Sequence, residues 1–279
     1  MSRDKTATPI DRQALAAELH DGQRSALQRY RQKAAGDLSI PGLLRYELAS
    51  LGCADLGGGL GYLLRKWAYR GLFRAMGGGV IIGRGFTVRH PGRISLGRQV
   101  AIDDHVLLDA SGAGEAGVQV GDRVIISRHC IIQGKSGPIV IGEGCDIGAN
   151  TLITAASGVY LEPAVLIAGN CYIGGSRYVT ERLDVPIMHQ GWYSRGPVHI
   201  GTGTWLGAGV TVLDGVRFIR SSSQQDMSLV TIQFAWGDDI GKAVQSVQSL
   251  MTAAEGDIEL DGFNSRSYWV LPIDPLNRP

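Results

Sequence analysis

A six-residue repeat constrains this sequence more than any other feature. Each unit begins with Ile, Leu or Val, often followed by Gly, and places a small or branched residue fifth. The clearest copies begin at Ile141, Ile147, Ile167, Ile200 and Leu206. Three such units form one triangular coil when the apolar first residue points inward on each flat side and Gly permits the corner. The repeat therefore predicts a parallel β-helix.

The units align into coils of 18 residues that are separated by insertions. The inward positions form three columns: Leu96, Val120, Ile141, Leu161 and Ile200 on the first side; Ile102, Ile126, Ile147, Ile167 and Leu206 on the second; Leu108, Ile132, Ile153, Ile173 and Val212 on the third. The insertions all follow the third side, at 111–117, 134–138, around 156–159, and 175–197. Chance would not place every insertion at one corner. A partial earlier coil is visible at Ile82 and Val88, so we expect the β-helix over roughly 80–217.

Composition supports this interpretation and excludes several classes of protein. The chain has 40 glycines among 279 residues, about twice the usual share, and residues 218–279 hold only 4 of them. A net charge of +1 removes the electrostatic argument for a nucleic-acid partner. Four cysteines without a Cys-x-x-Cys pair suit a reducing compartment, and three of them (130, 145 and 171) fall at the small fifth position, where buried, inert thiols are expected. No long apolar run or secretory signal is visible, which predicts a cytoplasmic protein.

Three regions follow from the repeat and its limits. We predict an N-terminal helical segment over 1–79, the β-helix over 80–217 and an atypical C-terminal extension over 218–279. The fold class is thus an all-β core with an N-terminal α-helical segment and a C-terminal α/β or disordered extension. In the extension, a helix over 239–254 and strands near 229–233, 258–260 and 268–271 are the expected elements.

The N-terminal region contains three predicted helices. The first covers 11–34, and two apolar pieces within 42–76 are divided by Gly57-Gly-Gly59. The last piece, Leu60 to Met76, has four basic residues and no acidic one. It suits a cap over the open first coil or an interfacial helix on an anionic membrane, and the two roles are compatible. Residues 60–76 are therefore the candidate for peripheral contact at the inner membrane face.

Three stretches resemble the left-handed β-helix (hexapeptide-repeat) acyltransferases, in particular their sugar O-acetyltransferase branch. They are Arg89 to Gly97, Val165 to Gly175 and Gly196 to Val216, and with the repeat the resemblance covers about half of the chain. The resemblance implies a left-handed helix, a homotrimer and acetyl-CoA bound in grooves between neighbouring subunits. It also implies O-acetyl transfer to a sugar or polysaccharide precursor, with no metal required.

The 175–197 insertion is the candidate catalytic loop, since long loops on a rigid scaffold commonly carry function. Acetyl transfer to a hydroxyl needs a general base, and imidazole titrates in the suitable range. The resemblance places a His at the start of this loop, but here Arg177 and Tyr178 stand there. His189 within the loop is therefore the candidate base. Arg177 and Tyr178 are candidate substrate-binding residues, as is Asn170 just before the loop.

The candidate cofactor-binding residues are Trp205, Gly207 and Ala208. They match the family segment that borders the CoA groove, where Gly lets a pantetheine amide approach the backbone. The family would continue with about two more coils, whereas the repeat here stops near residue 217. We therefore expect acetyl-CoA to bind more weakly than in a complete groove.

Two alternative functions remain open. The absent loop-start His and the interrupted C-terminus favour an inactive, trimeric β-helical scaffold. His105 and His129 occupy the same fourth position in consecutive coils, where hydrogen bonding between coils is the simpler explanation. A metal site built on them would resemble the γ-class carbonic anhydrases, but the close pair of His that those enzymes need is absent.

Overall fold

The computed structural model describes residues 9–10, 25–36, 38–218, 229–231 and 270–272. Three parallel sheets form the faces of a β-helix. The first face comprises Ala75–Met76, Ile94–Leu96, Val118–Val120, Ile139–Ile141, Val159–Leu161, Val198–Ile200 and Arg217–Phe218. The second face comprises Ile81–Ile82, Ala101–Ile102, Ile125–Ile126, Asp146–Ile147, Leu166–Ile167 and Trp205–Leu206. The third face comprises Thr87–Arg89, Leu107–Asp109, Ile131–Gly134, Leu152–Ala155, Tyr172–Gly174 and Thr211–Leu213.

The strand register confirms all three predicted columns. On the first face Ile141 pairs with Val120 and Leu161, and equivalent neighbours pair along the second and third faces. The inward residues are buried almost completely and fill the interior of the coil. Every longer connection runs from the third face to the first, as the positions of the insertions predicted. The parallel β-helix predicted from the repeat is confirmed.

Glycine at the second position of a unit allows consecutive coils to stack closely. A Cβ built on Gly83 would lie 2.4 Å from the carbonyl carbon of Asp103, and one on Gly142 would lie 2.6 Å from that of Glu162. Real Cβ atoms essentially never come that close to a backbone atom. At Gly83 and Gly142 a larger residue would therefore force two coils apart.

The fourth position of a unit turns the chain at the corner after the second face. His105, His129, Asn150 and Asn170 all have φ between 58° and 61°, the left-handed region. Asn adopts this conformation more readily than most residues, which explains its place in the column. The backbone N–H of Asn150 also donates to the carbonyl of Arg128 in the previous coil, at 3.0 Å. Backbone groups therefore make hydrogen bonds between coils at this corner, and the Asp104 carboxylate adds one by accepting from the N–H of Arg84 at 2.6 Å.

Three cysteines at fifth positions lie in the core. Cys130 and Cys145 are fully buried, and Cys171 is 2% exposed. Each thiol lies within hydrogen-bonding distance of a backbone carbonyl, as Cys130 Sγ does at 3.1 Å from Gly148. Burial raises the pKa of Cys130 to about 11. The predicted burial of the three thiols is confirmed, and their low reactivity stays a prediction.

Within the described residues, three helices precede the β-helix: α1 (Ala26–Ala34), α2 (Ile40–Gly52) and α3 (Gly58–Arg70). A capping box between Ser25 and Gln28 begins α1. Residues 11–24 of the predicted first helix lie outside the described residues. Gly57 is the N-cap of α3, consistent with the predicted break between the two apolar pieces.

The last helix is shorter than the sequence pattern suggested. It ends at Arg70, and Ala75–Met76 forms a strand that pairs with Ser95–Leu96. The inward Met76 heads the first-face column, so its apolar side chain extends the coil rather than the helix. The apolar residues of 60–76 therefore divide between two elements.

The helices cover the open first coil. Tyr69 is 1% exposed and packs edge-on against Phe86, with ring centroids 5.3 Å apart. Arg65 Nε donates to the carbonyl of Ile82 at 2.9 Å, and Tyr46 Oη donates to that of Val88 at 2.8 Å. These bonds satisfy carbonyls of the terminal coil, and the aromatic rings cover its core, so the segment caps the solenoid.

The described part of the C-terminal extension is a single strand pair. Leu229–Thr231 runs antiparallel to Val270–Pro272. The predicted helix over 239–254 and the strand near 258–260 lie outside the described residues. Among the helices that the structure describes, none combines the length and apolar character needed to cross a bilayer.

Candidate functional site

The 175–197 connection begins and ends as an antiparallel hairpin. Arg177–Tyr178 pairs with Trp192–Tyr193, which also pairs with Pro9–Ile10. Trp192 is only 8% exposed and fixes the base of the hairpin. The loop therefore leaves the third face as an ordered arm.

An ion pair joins this arm to the last complete coil. Arg177 Nε lies 3.5 Å from Asp214 Oδ1, and their side chains are 25% and 4% exposed. The same carboxylate accepts a hydrogen bond from the backbone N–H of Arg195 at 2.6 Å. Asp214 thus holds both ends of the arm, and the guanidinium of Arg177 already faces an anion of its own chain.

His189 ends a short 3-10 turn, Ile187–His189, at the tip of the arm. Its side chain is exposed, and its backbone N–H donates to Pro186 at 2.8 Å. The neighbouring Gln190 closes the tip, since its amide donates to the carbonyls of Arg182 and Val185 at 2.6 and 2.7 Å. The imidazole of His189 is therefore exposed on a loop that the Gln190 hydrogen bonds hold in place.

A second group of predicted residues lies at one corner of adjacent coils. The backbone N–H of Gly209 donates to the carbonyl of Gly169 at 3.0 Å, so residues 207–209 stack on residues 168–170 of the previous coil. Cys171 Sγ lies 3.2 Å from the carbonyl of Gly207 and ties the same two coils together. Asn170 and Ala208 are both exposed at this corner. The predicted acceptor-binding and cofactor-binding residues are therefore neighbours.

The backbone at Gly207 is open, unlike that at Gly83 or Gly142 in the same position of earlier units. A Cβ at Gly207 would meet nothing within 4 Å, and Gly209 is equally free. Trp205 precedes them on the second face, 45% exposed and paired with the 44% exposed Leu166 of the previous coil. This end of the solenoid combines an accessible backbone with an apolar strip.

The structure thus gathers the predicted site residues into two groups. Arg177 and Tyr178 lie at the base of the arm, while Asn170 lies at the corner with the three CoA candidates. His189 lies apart from both groups at the tip of the arm, where its backbone N–H donates to Pro186 within the loop.

The two stacked histidines form a separate corner feature. The rings of His105 and His129 lie parallel, with centroids 5.1 Å apart. Among the described residues, no group of three His, Cys, Asp or Glu side chains converges on a point where an ion would sit.

Sequence reasoning missed three residues around the arm: Asp214, Trp192 and Tyr172. Burial, and then the Asp214 carboxylate, raise the pKa of Tyr172. The only available signal was the polar or aromatic character of these residues near the longest insertion. Their contacts join positions far apart in the chain, which repeat spacing alone does not connect.

The columns and corners described above define a hexapeptide-repeat β-helix protein, and the chain resembles the acyltransferases of that class. It is 30% identical over 103 residues to the Mycobacterium tuberculosis protein named Probable acetyltransferase Rv3034c, a match that covers 37% of this chain. The chain spans about a third of that relative, 32% of its length. No protein-family model matches the chain.

Two solved structures are similar to parts of this chain at lower identity. One is a point mutant of AntD, an N-acyltransferase from Bacillus cereus, in complex with dTDP and coenzyme A. It is 18% identical, with a TM-score of 0.39 over 65% of this chain and 92% of its own. The other is the hexapeptide-repeat acetyltransferase VCA0836 of Vibrio cholerae with acetyl coenzyme A, 18% identical, with a TM-score of 0.27 over 48% of this chain and 82% of its own.

Proposed function

We propose that this protein is a CoA-dependent acyltransferase that moves an acetyl group from acetyl-CoA to a hydroxyl of a sugar or glycan precursor. The observation that carries the proposal is the 103-residue similarity to an acetyltransferase, on a chain whose repeat builds the matching scaffold. The accessible corner at Asn170 and Gly207 and the ordered arm beside it supply a place for the two substrates.

The proposed reaction is direct transfer without an enzyme-bound intermediate. The acceptor oxygen attacks the thioester carbonyl, the new C–O bond forms, and the C–S bond breaks to release CoA. His189 takes the hydroxyl proton and returns it to the leaving thiolate. Asn170 orients the acceptor at the corner, and Tyr178 contacts it from the base of the arm.

The donor arm of acetyl-CoA fits the end of the solenoid in two respects. The open backbone at Gly207 allows a pantetheine amide to approach, and Trp205 with Leu166 offers apolar contact to its methylene groups. Ala208 adds little bulk at this corner. Arg177 is paired with Asp214 through Nε. It would therefore bind the substrate through its other guanidinium N–H groups.

A homotrimer is part of the proposal, because the arm exposes apolar side chains at its tip. Leu183 is 101% exposed and Met188 69% exposed. On the second face Ile125 and Leu166 are also 46% and 44% exposed. A neighbouring subunit that buried these side chains would bring the tip of the arm, with His189, onto the adjacent corner.

An inactive scaffold is the second candidate, and the Arg177–Asp214 ion pair is the observation that favours it. The position where the resemblance expects the base instead holds a residue that anchors the arm to its own coil. The scaffold would assemble through the same surfaces and release no CoA.

Acyl transfer is tested by following CoA thiol release from acetyl-CoA across a panel of sugar and glycan acceptors. We expect release above the hydrolysis background with at least one acceptor, and a roughly 100-fold lower turnover in His189→Ala. Sedimentation of the wild-type protein should give the mass of three chains. Unchanged turnover in His189→Ala would remove this residue from the mechanism, and no release with any acceptor would favour the scaffold.

Peripheral membrane contact through residues 60–76 also belongs to the proposal.

A further inference from the structure

The helical cap carries an apolar stripe on the side that faces away from the β-helix. The exposed residues of α2 have the helical spacing i, i+4, i+8 and i+11, so they lie on one face along the whole helix. The opposite face of α2 is packed, with Tyr46 6% exposed and Ala49 0% exposed. The stripe consists of Ile40, Leu44, Leu48 and Leu51, which are 69%, 62%, 72% and 85% exposed.

Helix α3 repeats the same arrangement. Leu60, Leu63 and Trp67 are spaced i, i+3 and i+7, and they are 68%, 61% and 72% exposed. Ala68 and Tyr69 on the other face are 4% and 1% exposed against the first coil. Both helices therefore use one apolar face to close the solenoid and leave a second apolar face outward.

The two outward stripes lie side by side. Arg45 of α2 donates to the carbonyls of Ala68 and Trp67 at 2.8 and 2.7 Å, and its guanidinium carbon lies 5.4 Å from the centroid of the Trp67 ring. This contact holds the helices together and joins their stripes into one surface. We call this surface, the stripe of α2 with Leu60, Leu63 and Trp67, the cap face. Soluble monomers rarely expose so large a contiguous apolar patch without using it.

Basic residues outnumber acidic ones around the cap face, where the connection between α2 and α3 carries one exposed acid, Asp55. Helix α3 contains no acidic residue, and Lys66 and Arg70 lie beside Leu63 and Trp67 on its surface. The nearest acid of α2, Glu47, accepts a hydrogen bond from Tyr30 at 2.8 Å. An apolar patch with an aromatic side chain and a basic rim matches the interfacial region of an anionic membrane. A second copy of the chain would instead bring like-charged rims together.

We propose that the cap face docks the protein on an anionic phospholipid bilayer, with Leu48 and Leu63 inserted among the acyl chains and Lys66 and Arg70 at the headgroups. The structure refines the broader membrane prediction for residues 60–76 in two ways. Helix α2 supplies half of the contact. Arg65, one of the four basic residues counted from the sequence, is 4% exposed and donates to the carbonyls of Ile82 in the first coil and Cys53 in the cap. The proposal is independent of acyl transfer.

Vesicle co-sedimentation with the full chain tests this docking. We expect binding to vesicles of phosphatidylcholine and phosphatidylglycerol at low salt, and weaker binding to pure phosphatidylcholine or at high salt. Leu48→Gln with Leu63→Gln should weaken binding about 100-fold, because two inserted side chains lose their apolar contact. Lys66→Gln with Arg70→Gln should weaken binding about 25-fold on the anionic vesicles alone.

The matched control is Ile131→Gln, which removes a 38% exposed apolar side chain from the third face of the β-helix, away from the cap and the arm. It should leave vesicle binding unchanged, and the unfolding temperature of the Leu48/Leu63 variant should equal that of the wild type. Absence of wild-type binding, or equal loss in the control, would overturn the proposal. A lower mass of the Leu48/Leu63 variant in analytical ultracentrifugation would assign the cap face to a second copy and would overturn it as well. Because no acetyl-CoA is present, failure here leaves the proposed reaction untouched.

Discussion

Replacing Gly142 with alanine should push two coils of the β-helix apart. The new Cβ would lie 2.6 Å from the carbonyl carbon of Glu162 and from the nitrogen of Pro163, whereas ordinary contact begins near 3.4 Å. The coils must therefore separate locally by about 0.8 Å. The N–H of Gly142 donates to Leu161 at 2.7 Å, so the separation also lengthens a hydrogen bond of the first face.

The expected cost is about 2–3 kcal/mol, in the range measured for overpacked interiors. For a chain of this size that loss lowers the unfolding temperature by about 4–12 °C. The control is Gly207→Ala, at the same repeat position and without a positive φ, where a Cβ meets nothing within 4 Å. Its unfolding temperature should stay within about 2 °C of the wild type. Thermal unfolding followed by far-UV circular dichroism measures both, and equal shifts would refute the stacking argument.

The remaining predictions concern the corner residue Asn150, the arm, the reactivity of the cysteines and the pH dependence of stability. Asn150→Gly should be nearly neutral in urea unfolding, while Asn150→Val should cost about 1–2 kcal/mol, because its φ is 60°. Asp214→Asn should cost about 1–2 kcal/mol and accelerate hydrogen exchange over the arm, since it removes the carboxylate that holds Arg177; unchanged exchange would argue against this anchoring. In the native protein only Cys53 should react with a thiol reagent at pH 8, and rapid reaction of a second thiol would contradict the described burial. Because burial raises the pKa of Cys130 to about 11, the unfolded chain loses that proton first, so stability should fall from about pH 9 to 11 and Cys130→Ala should flatten the fall.

The solenoid could be predicted from sequence because each of its rules acts on a fixed position of the repeat. An aliphatic residue such as Ile147 points inward in every coil, and a glycine such as Gly142 follows where the next coil passes closest. The role of the fourth-position residues at the corner after the second face remained ambiguous from the sequence. Asn170 looked like an acceptor-binding or hydrogen-bonding residue, and the structure adds a backbone reason, its φ of 61°.

The arm and the cap were less predictable because tertiary contacts decide them. No spacing rule relates Arg177 to Asp214 across 36 intervening residues, yet their ion pair fixes the base of the arm. Met76 fits a helical pattern as well as a strand, and its pairing with Leu96 decides between them. Arg65 reads as a surface charge until the carbonyls of the first coil are in place to accept its hydrogen bonds.

The candidate site could be predicted from the sequence only in part. The positions of the long insertion and of the coils on either side of it could be predicted from the sequence, and their role as a site stays a prediction. The sequence could not show that Asn170 and Ala208 are neighbours while His189 lies at the exposed tip of the arm. A repeat specifies the stacking of coils, whereas the path of an insertion depends on its own packing, here on Trp192 and Asp214.

A calorimetric titration of the full chain with acetyl-CoA tests the central claim most directly. We expect saturable binding with a Kd below about 1 mM. Gly207→Ala should weaken that binding while leaving the unfolding temperature unchanged, since its Cβ would point into the space proposed for the pantetheine arm. No heat of binding at millimolar acetyl-CoA would contradict the acyltransferase proposal and leave the scaffold as the better explanation.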